Sequence, residues 1–444
     1  MLDLRHPLVA VAGALLLTIP WVGVELLGEH PGTTTTVLLT GLAVLGASFL
    51  LAWAAETAEE DVPRAFALAV LAVLAVAPEY AVDAFYAWNA GINAGTPAGQ
   101  EAANLAIANM TGANRILIGL GWSGIALFTV YRVANSANKD PAVADREGLM
   151  ADSVVLDRGI ATEIAFLFFA TAWAFFVPFG GGIDAIDTIV LVGIYATYIL
   201  IIVRAGAETD EQHVGVPAYF QQYGQPYRTM VVLGLFAYSA AMIFTAVEPF
   251  AHGLEDLGLQ LGIPSFFMIQ WIAPLASESP ELIVVVYLVN KARSTAGFNA
   301  LISSKLNQWT LLIGTLAVVY SIALGAYAPL PFDAKQEAEI WLTAAQSFFA
   351  LSILVNFEIS VREALTLLVL FLSQVVIEFL LLKVIPSFPI SSHGMLLVFT
   401  GIYVVLGTAL FVRRRRALGE ILRLTRSTAR AAISPEHPPP EHAD

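Results

Sequence analysis

Apolar residues run along this chain in stretches of about 20 or more, the length a helix needs to cross a bilayer. One set lies at 8–28, 34–57, 64–91, 100–131, 159–177 and 184–204. A second lies at 229–249, 264–290, 298–328, 340–358, 362–385 and 394–411. The pattern predicts an all-α polytopic membrane protein of about 12 transmembrane helices. Stretches 100–131 and 298–328 are long for one crossing, so tilt or a break is expected in each. The first stretch resembles a signal peptide in position only. Asp3 stands beside Arg5 before it, and its end from Trp21 to Glu25 offers no small-residue cleavage site, so it reads as an uncleaved helix.

Two stretches place a proline directly before a glutamate at mid-span: LAVAPEYAVD (74–83) and LASESPELIV (275–284). Their surroundings correspond. A helix ending AWAAETA (52–58) leads into the first, and one ending FTAVEPFA (244–251) leads into the second. Each is followed by a helix rich in small and amide residues, NLAIANMTGANRILIG (104–119) and NALISSKLNQWTLLIG (299–314). Aligned without gaps, Asn104 meets Asn299 and Asn109 meets Ser304. Stretches two to six and seven to eleven therefore read as two five-helix units, with one extra helix at each end. An odd number of crossings inserts the second copy upside down. Inverted repeats with interrupted helices at the midplane point to a secondary transporter.

Composition agrees. The 444 residues are 57% hydrophobic and only 13% charged, too little charge to cover a soluble protein of this size. Cysteine is absent, which excludes disulfides and thiolate metal sites, and the seven histidines are scattered. Neither HExxH nor GxSxG occurs, so an enzyme is not expected, nor a cofactor. With the N-terminus inside and the spans alternating, 18 of the 22 Lys and Arg fall on the cytoplasmic side. Lys335 and Lys383 fall outside, and Arg115 and Lys305 fall within spans. This places both termini in the cytoplasm and the protein in the plasma (cell) membrane. The tail is basic and then Pro-rich, and reads as a surface-associated extension ending in disorder.

A proline removes a backbone donor and frees a carbonyl, and such backbone survives in a membrane only against protein or a wet cavity. A carboxylate at that depth costs roughly 2.5–3.5 kcal/mol. Together they make an oxygen-rich cage suited to a hard cation such as Na⁺ or Ca²⁺. Glu79 and Glu281 are the central candidates for holding the metal ion. Asp83 lies at i+4 from Glu79, and Glu278 at i−3 from Glu281 with Ser277 adjacent. The following helices offer Asn109 and Asn114 in one half and Ser303, Ser304 and Asn307 in the other. Asn104 and Asn299 read as helix–helix contacts. Glu56 and Glu248 occupy equivalent helix ends, while Glu25, Glu163, Glu358 and Glu378 suit snorkelling or local pairing.

These residues resemble the calcium/cation antiporter superfamily, the sodium/calcium exchangers and their relatives. That family carries two inverted repeats, each with a G-T-S-x-P-E-like segment followed by a G-N-x-x-G-S-N-like segment. Pro78-Glu79 and Pro280-Glu281 match the first segment, and Asn109, Gly112 and Asn114 in ANMTGAN (108–114) match the second. The resemblance implies a ten-helix core, alternating access, and exchange of Ca²⁺ or another cation for Na⁺ or H⁺, with Glu79, Glu281 and Asn109 at the central site. Ala75 and Val76 replace the family's Thr-Ser, and the second G-N-x-x-G-S-N has become SSKLNQW (303–309). Glu79, Asp83, Glu278 and Glu281 would carry −4, which the fixed cations Arg115 and Lys305 reduce to −2. A fixed cation competes for carboxylates with a transported one, so protons are the expected counter-ion.

The expected organisation is an extra N-terminal transmembrane helix (1–33), a first exchanger-like repeat (34–204), a cytoplasmic linker (205–228), a second inverted repeat (229–385), an extra C-terminal transmembrane helix (386–412) and a tail (413–444). The leading reading is an antiporter exchanging Ca²⁺ or Na⁺ against Na⁺ or H⁺. A dedicated Na⁺/H⁺ exchanger and a non-transporting structural membrane module are the alternatives. Its partners are the lipid bilayer and inorganic cations, with no nucleic acid, and a homodimer is left open.

Overall fold

The computed structural model describes residues 6–62, 76–135, 140–205, 215–384, 389 and 391–433. The first half of the expected span 64–91 and the Pro-rich end of the tail lie outside the described residues. Helix α1 (Pro7–Leu27) starts on a His6 cap and stops at Gly28, whose φ of 64° is the left-handed conformation that ends helices. It packs on α2 (Thr33–Ala58). Next come α3 (Ala77–Ile92) and α4 (Pro97–Ile116), the latter opened by a Thr96 cap and Pro97. A π-helical turn, Leu117–Trp122, joins α4 to α5 (Ser123–Asn135). Helices α6 (Ala161–Ala174) and α7 (Ala185–Ala205) follow, and the short α8 (Val216–Gln221) lies in the linker.

Helices α9 (Gln225–Leu261) and α10 (Ser265–Asn290) open the second set. After α11 (Ser294–Asn307), a second π-helical turn, Gln308–Leu312, leads into α12 (Ile313–Leu324). Then come α13 (Ala334–Leu354), α14 (Val361–Lys383), α15 (Ser392–Arg413) and α16 (Arg415–Ile433). Each long stretch expected to tilt or break thus holds a widened turn inside a continuous rod. Such π turns recur at functional positions.

Ten helical stretches among the described residues are long and apolar enough to cross a membrane. Two expected spans are not among them. One is the stretch at 64–91, partly outside the described residues; the other, 340–358, is observed as α13. Lys335, Glu337 and Glu339 lower the apolarity of α13, and nearly all of its side chains are buried against protein rather than lipid. Glu358 falls outside it, in strand Glu358–Ser360. Helix α9 also departs from expectation. It runs 37 residues through Pro249, where a loop was expected after residue 251. At 1.5 Å per residue that is about 55 Å, longer than a bilayer is thick, so it must tilt or protrude.

Packing crosses the two halves. The long helices α2 and α9 lie against each other, and Arg228 joins their ends by donating from Nε to Asp61 Oδ2 at 2.7 Å. Helix α3 packs on α4 and α12, and α10 packs on α11 and α4. Each Pro-Glu helix therefore touches its own following rod and the rod of the other half. Trp122 and Trp309, both fully buried, sit within the two π turns at the centre of the main core.

Two small sheets tie the loops. Val143–Ala144 pairs antiparallel with Ser153–Val155, which pairs with Glu358–Ser360. Gly182–Ile183 pairs with Leu330–Pro331. Alternating spans put the members of each sheet on one common side. The basic tail is not merely a surface extension, because residues 415–433 form a helix docked on α6 and α7. Ile421 and Ala432 of α16 face inward, while Arg415, Arg416, Arg423, Arg426 and Arg430 stay exposed.

Candidate cation-binding site

Pro78 stands in the first turn of α3, after Val76 at φ −100° and ψ 13°. Glu79 is therefore presented from a helix N-terminus, whose dipole favours a carboxylate. Helix α10 differs from the expected interruption: it continues unbroken through Pro274 and Pro280. What the prolines remove is hydrogen bonding. Pro280 offers no N–H to the Ala276 carbonyl. Ser277 donates its hydroxyl to the Pro274 carbonyl at 3.3 Å, and Ser279 donates to that of Leu275. Ser277 thus serves the backbone of α10.

Glu79 is 3% exposed, and Glu278 is fully buried. The two converge on one side chain, Gln308, the first residue of the second π turn. Its Nε2 donates to Glu79 Oε2 and, at 2.8 Å, to Glu278 Oε1, and lies 3.5 Å from Ser304 Oγ. Glu281 lies beside Glu278 and Ser304. On the other flank, Asn109 Nδ2 donates to Asp83 Oδ1 at 2.9 Å, both residues being buried. Five buried oxygens here have no hydrogen-bond partner among the described residues: Asp83 Oδ2, Asn109 Oδ1, Glu278 Oε2, Glu281 Oε2 and Gln308 Oε1. Buried polar atoms are normally paired, and unpaired oxygens are what a hard cation takes as ligands. Among the described residues no three acidic or histidine side chains close around a metal position in this arrangement. The amide group of Gln308 stands between the carboxylates instead.

The motif glycine has a packing reason. A Cβ on Gly112 would lie 1.9 Å from the Gln270 carbonyl oxygen. Pro274, four residues on, leaves that carbonyl without its helical donor. Helix α4 can approach α10 at Gln270 so closely only because residue 112 has no side chain.

Several expected site residues sit elsewhere. Ser303 is exposed, one position off the inward face that carries Ser304. The Asn307 side-chain oxygen Oδ1 accepts from the Tyr80 hydroxyl at 2.6 Å, and its Nδ2 faces Tyr195 at 3.4 Å, which makes it a bridge between helices. Asn114 Oδ1 accepts from Lys305 Nζ at 2.7 Å. Lys305 also lies 4.2 Å from the Trp309 ring and is fully buried, so it does not snorkel. Arg115, equally buried, pairs with Glu339 Oε2 at 2.6 Å rather than with the four carboxylates. The reduction of their charge from −4 to −2 therefore does not hold: Arg115 is already neutralised by Glu339. Asn104 is a helix contact as expected, donating to Asp333 at 2.9 Å. Gln308 escaped the sequence reading. Its signal was its place one turn beyond Ser304, within SSKLNQW.

The profile of the family described as sodium/calcium exchanger protein matches residues 32–204 and 231–380, most of the chain. The chain belongs to the sodium/calcium exchanger family. Among solved structures, it is similar to the H⁺/Ca²⁺ exchanger CAX, with 43% identity over 97% of this chain and 99% of that one, at a TM-score of 0.83. The Ca²⁺/H⁺ antiporter YfkE shares the fold at 16% identity, covering 84% of this chain and 99% of that one, with a TM-score of 0.57. The sodium–calcium exchanger NCX_Mj aligns at 17% identity, over 78% of this chain and 98% of that one, with a TM-score of 0.48. No curated protein sequence matches the chain. Like the rest of the sodium/calcium exchanger family, it is an integral membrane protein.

Proposed function

We propose that this exchanger-family protein moves Ca²⁺ against H⁺ by alternating access, as a transporter of the cell membrane and not an enzyme. The observation that carries the reading is the sharing of one Gln308 amide group by two buried carboxylates from opposite halves, Glu79 and Glu278. Hydrogen-bond donors occupy the place of a positive charge there. Glu79, Glu278 and Glu281 are the proposed cation ligands, with the Asp83–Asn109 pair and Ser304 beside them. A divalent ion needs several anionic oxygens, which this group supplies. Once the ion leaves, the carboxylates require another positive partner at membrane depth, and protons provide it. The similarity to the H⁺/Ca²⁺ exchanger CAX supports the same choice of ions. The loop 140–160 and both chain ends are assigned to the cytoplasm, in line with the distribution of Lys and Arg.

The test is ion flux in proteoliposomes carrying an internal pH dye and an imposed proton gradient. External Ca²⁺ is expected to dissipate the gradient, and Glu79→Gln or Glu278→Gln to silence the response. Dissipation by Na⁺ with none by Ca²⁺ would replace this reading with that of a dedicated Na⁺/H⁺ exchanger.

A further inference from the structure

A second group of buried charges lies apart from the proposed cation ligands, among α4, α13 and α14. Arg115 of α4 pairs with Glu339 of α13 at 2.6 Å. Lys335, one turn earlier on α13, lies 3.9 Å from Glu339 and 3.2 Å from Glu378 of α14. Side-chain exposure is 0–1% for Arg115, Glu339 and Glu378, and 21% for Lys335. The group is electrically neutral, and its one partly exposed side chain, Lys335, is at the α13 N-terminus with its Nζ turned inward.

Neutral polar groups extend it. Gln346 of α13 donates to the Arg115 carbonyl at 3.4 Å. Gln374 lies at i−4 from Glu378 on the same face of α14 and is 1% exposed. Both ends of the Gln374 amide, Gln346 Oε1, Tyr403 OH, and Arg115 Nε and Nη1 are buried without a hydrogen-bond partner among the described residues. A set of this kind is what a buried chain of water molecules satisfies. The titratable groups facing Glu378 and Glu339 are Lys335 and Arg115, and Tyr403 of α15 lies within electrostatic reach of Arg115; α10 adds the rings of Phe266 and Trp271.

A purely structural brace does not call for this chemistry, since well-packed apolar residues hold helices at least as firmly as a buried ion-pair network. Charges at membrane depth mark transport pathways and proton relays. The group also adjoins the cation ligands. Arg115 follows Asn114, which holds Lys305, and Lys305 stands within electrostatic reach of both Arg115 and Glu278.

We propose that the Arg115–Glu339–Lys335–Glu378 group is a second proton-binding site, through which the counter-transported proton travels between the α13 N-terminal surface and the carboxylates by a route separate from that of the cation. A proton binds the Glu378 or Glu339 carboxylate, the group passes from neutral to +1, and the added charge is felt at Glu278 through Arg115 and Lys305. This rests on the reading of the protein as a proton-coupled exchanger.

The experiment compares two fluxes in proteoliposomes made with the full chain. One is Ca²⁺ uptake driven by a proton gradient. The other is exchange of isotopic Ca²⁺ for Ca²⁺, which needs no proton movement. Glu378→Gln and the double variant Arg115→Met/Glu339→Gln are expected to keep isotope exchange near wild type while gradient-driven uptake falls at least tenfold. Isotope exchange also reports that each variant has folded. If the ratio of the two fluxes is unchanged in both variants, whether the fluxes persist or fall together, the group is a structural brace and the proposal is overturned. Failure of the underlying reading looks different: wild-type protein would then show isotope exchange with no gradient-driven uptake.

Discussion

At the scale of single residues, the site depends on a few side chains whose neighbours admit little change. Gln308 is the clearest. Its amide group serves Glu79 and Glu278 at once, and both carboxylates are buried. Gln308→Leu is expected to lower Ca²⁺ flux at least tenfold, whereas Ser303→Ala on the exposed side of the same helix leaves flux unchanged. Transport assays on the pair check this. Gly112 is the second case. A methyl group there meets the Gln270 carbonyl at 1.9 Å, and the backbone on both sides must shift. Gly112→Ala should cost about 2–3 kcal/mol of stability. It should appear as a lowered melting temperature in detergent beside a neutral Gly124→Ala control, a position with nothing within 4 Å.

At the scale of elements, the chain uses helices whose regularity is altered locally without being cut. Helix α10 keeps its course through two prolines and gives up hydrogen bonds instead. Pro280→Ala would restore the N–H that the Ala276 carbonyl lacks. The expected outcome is an unchanged or raised melting temperature with reduced Ca²⁺ flux, since a carbonyl taken up by the helix is no longer available to the site. The π turn at Gln308–Leu312 acts in a related way, because the widened turn sets where Gln308 stands on its rod. Helix α16 illustrates the reverse situation, an element that the tail's basic composition concealed. Its inward residues, Ile421 and Ala432, recur at helical spacing, and Arg158 holds it by donating to Glu420 at 2.8 Å. At α15's end, Arg414 reaches Glu363 at 2.5 Å and anchors the start of α16.

At the scale of the whole molecule, each Pro-Glu helix packs against the rod of the opposite half, so the proposed ligands come from both halves at once. That is the arrangement an alternating-access mechanism needs, because relative motion of the halves changes the site's exposure. The topology can be checked directly. The chain has no native cysteine, so single cysteines label cleanly. Cysteines introduced at Glu147 and Ala326, both exposed, are expected to react with impermeant reagents from opposite sides of the membrane. Labelling of both from one side would contradict the alternation of spans that puts the two small sheets on opposite faces.

The sequence by itself determined the membrane class, the positions of most spans and the paired Pro-Glu segments, and it singled out Glu79, Asp83, Glu278 and Glu281 as buried acids. Those features follow from local properties: apolar length, proline chemistry, and the rarity of charge in a membrane. It left open what each polar side chain faces, because helical periodicity gives a residue's direction but not its neighbour. Asn114, Asn307 and Ser303 had the residue type of ligands, yet the first two serve Lys305 and the tyrosines, and the third faces outward. Arg115 looked like a charge within the site until α13 brought Glu339 to it. Residue 339 lies more than 200 positions away along the chain. Only tertiary packing pairs groups that far apart, and a buried charge is defined by its partner.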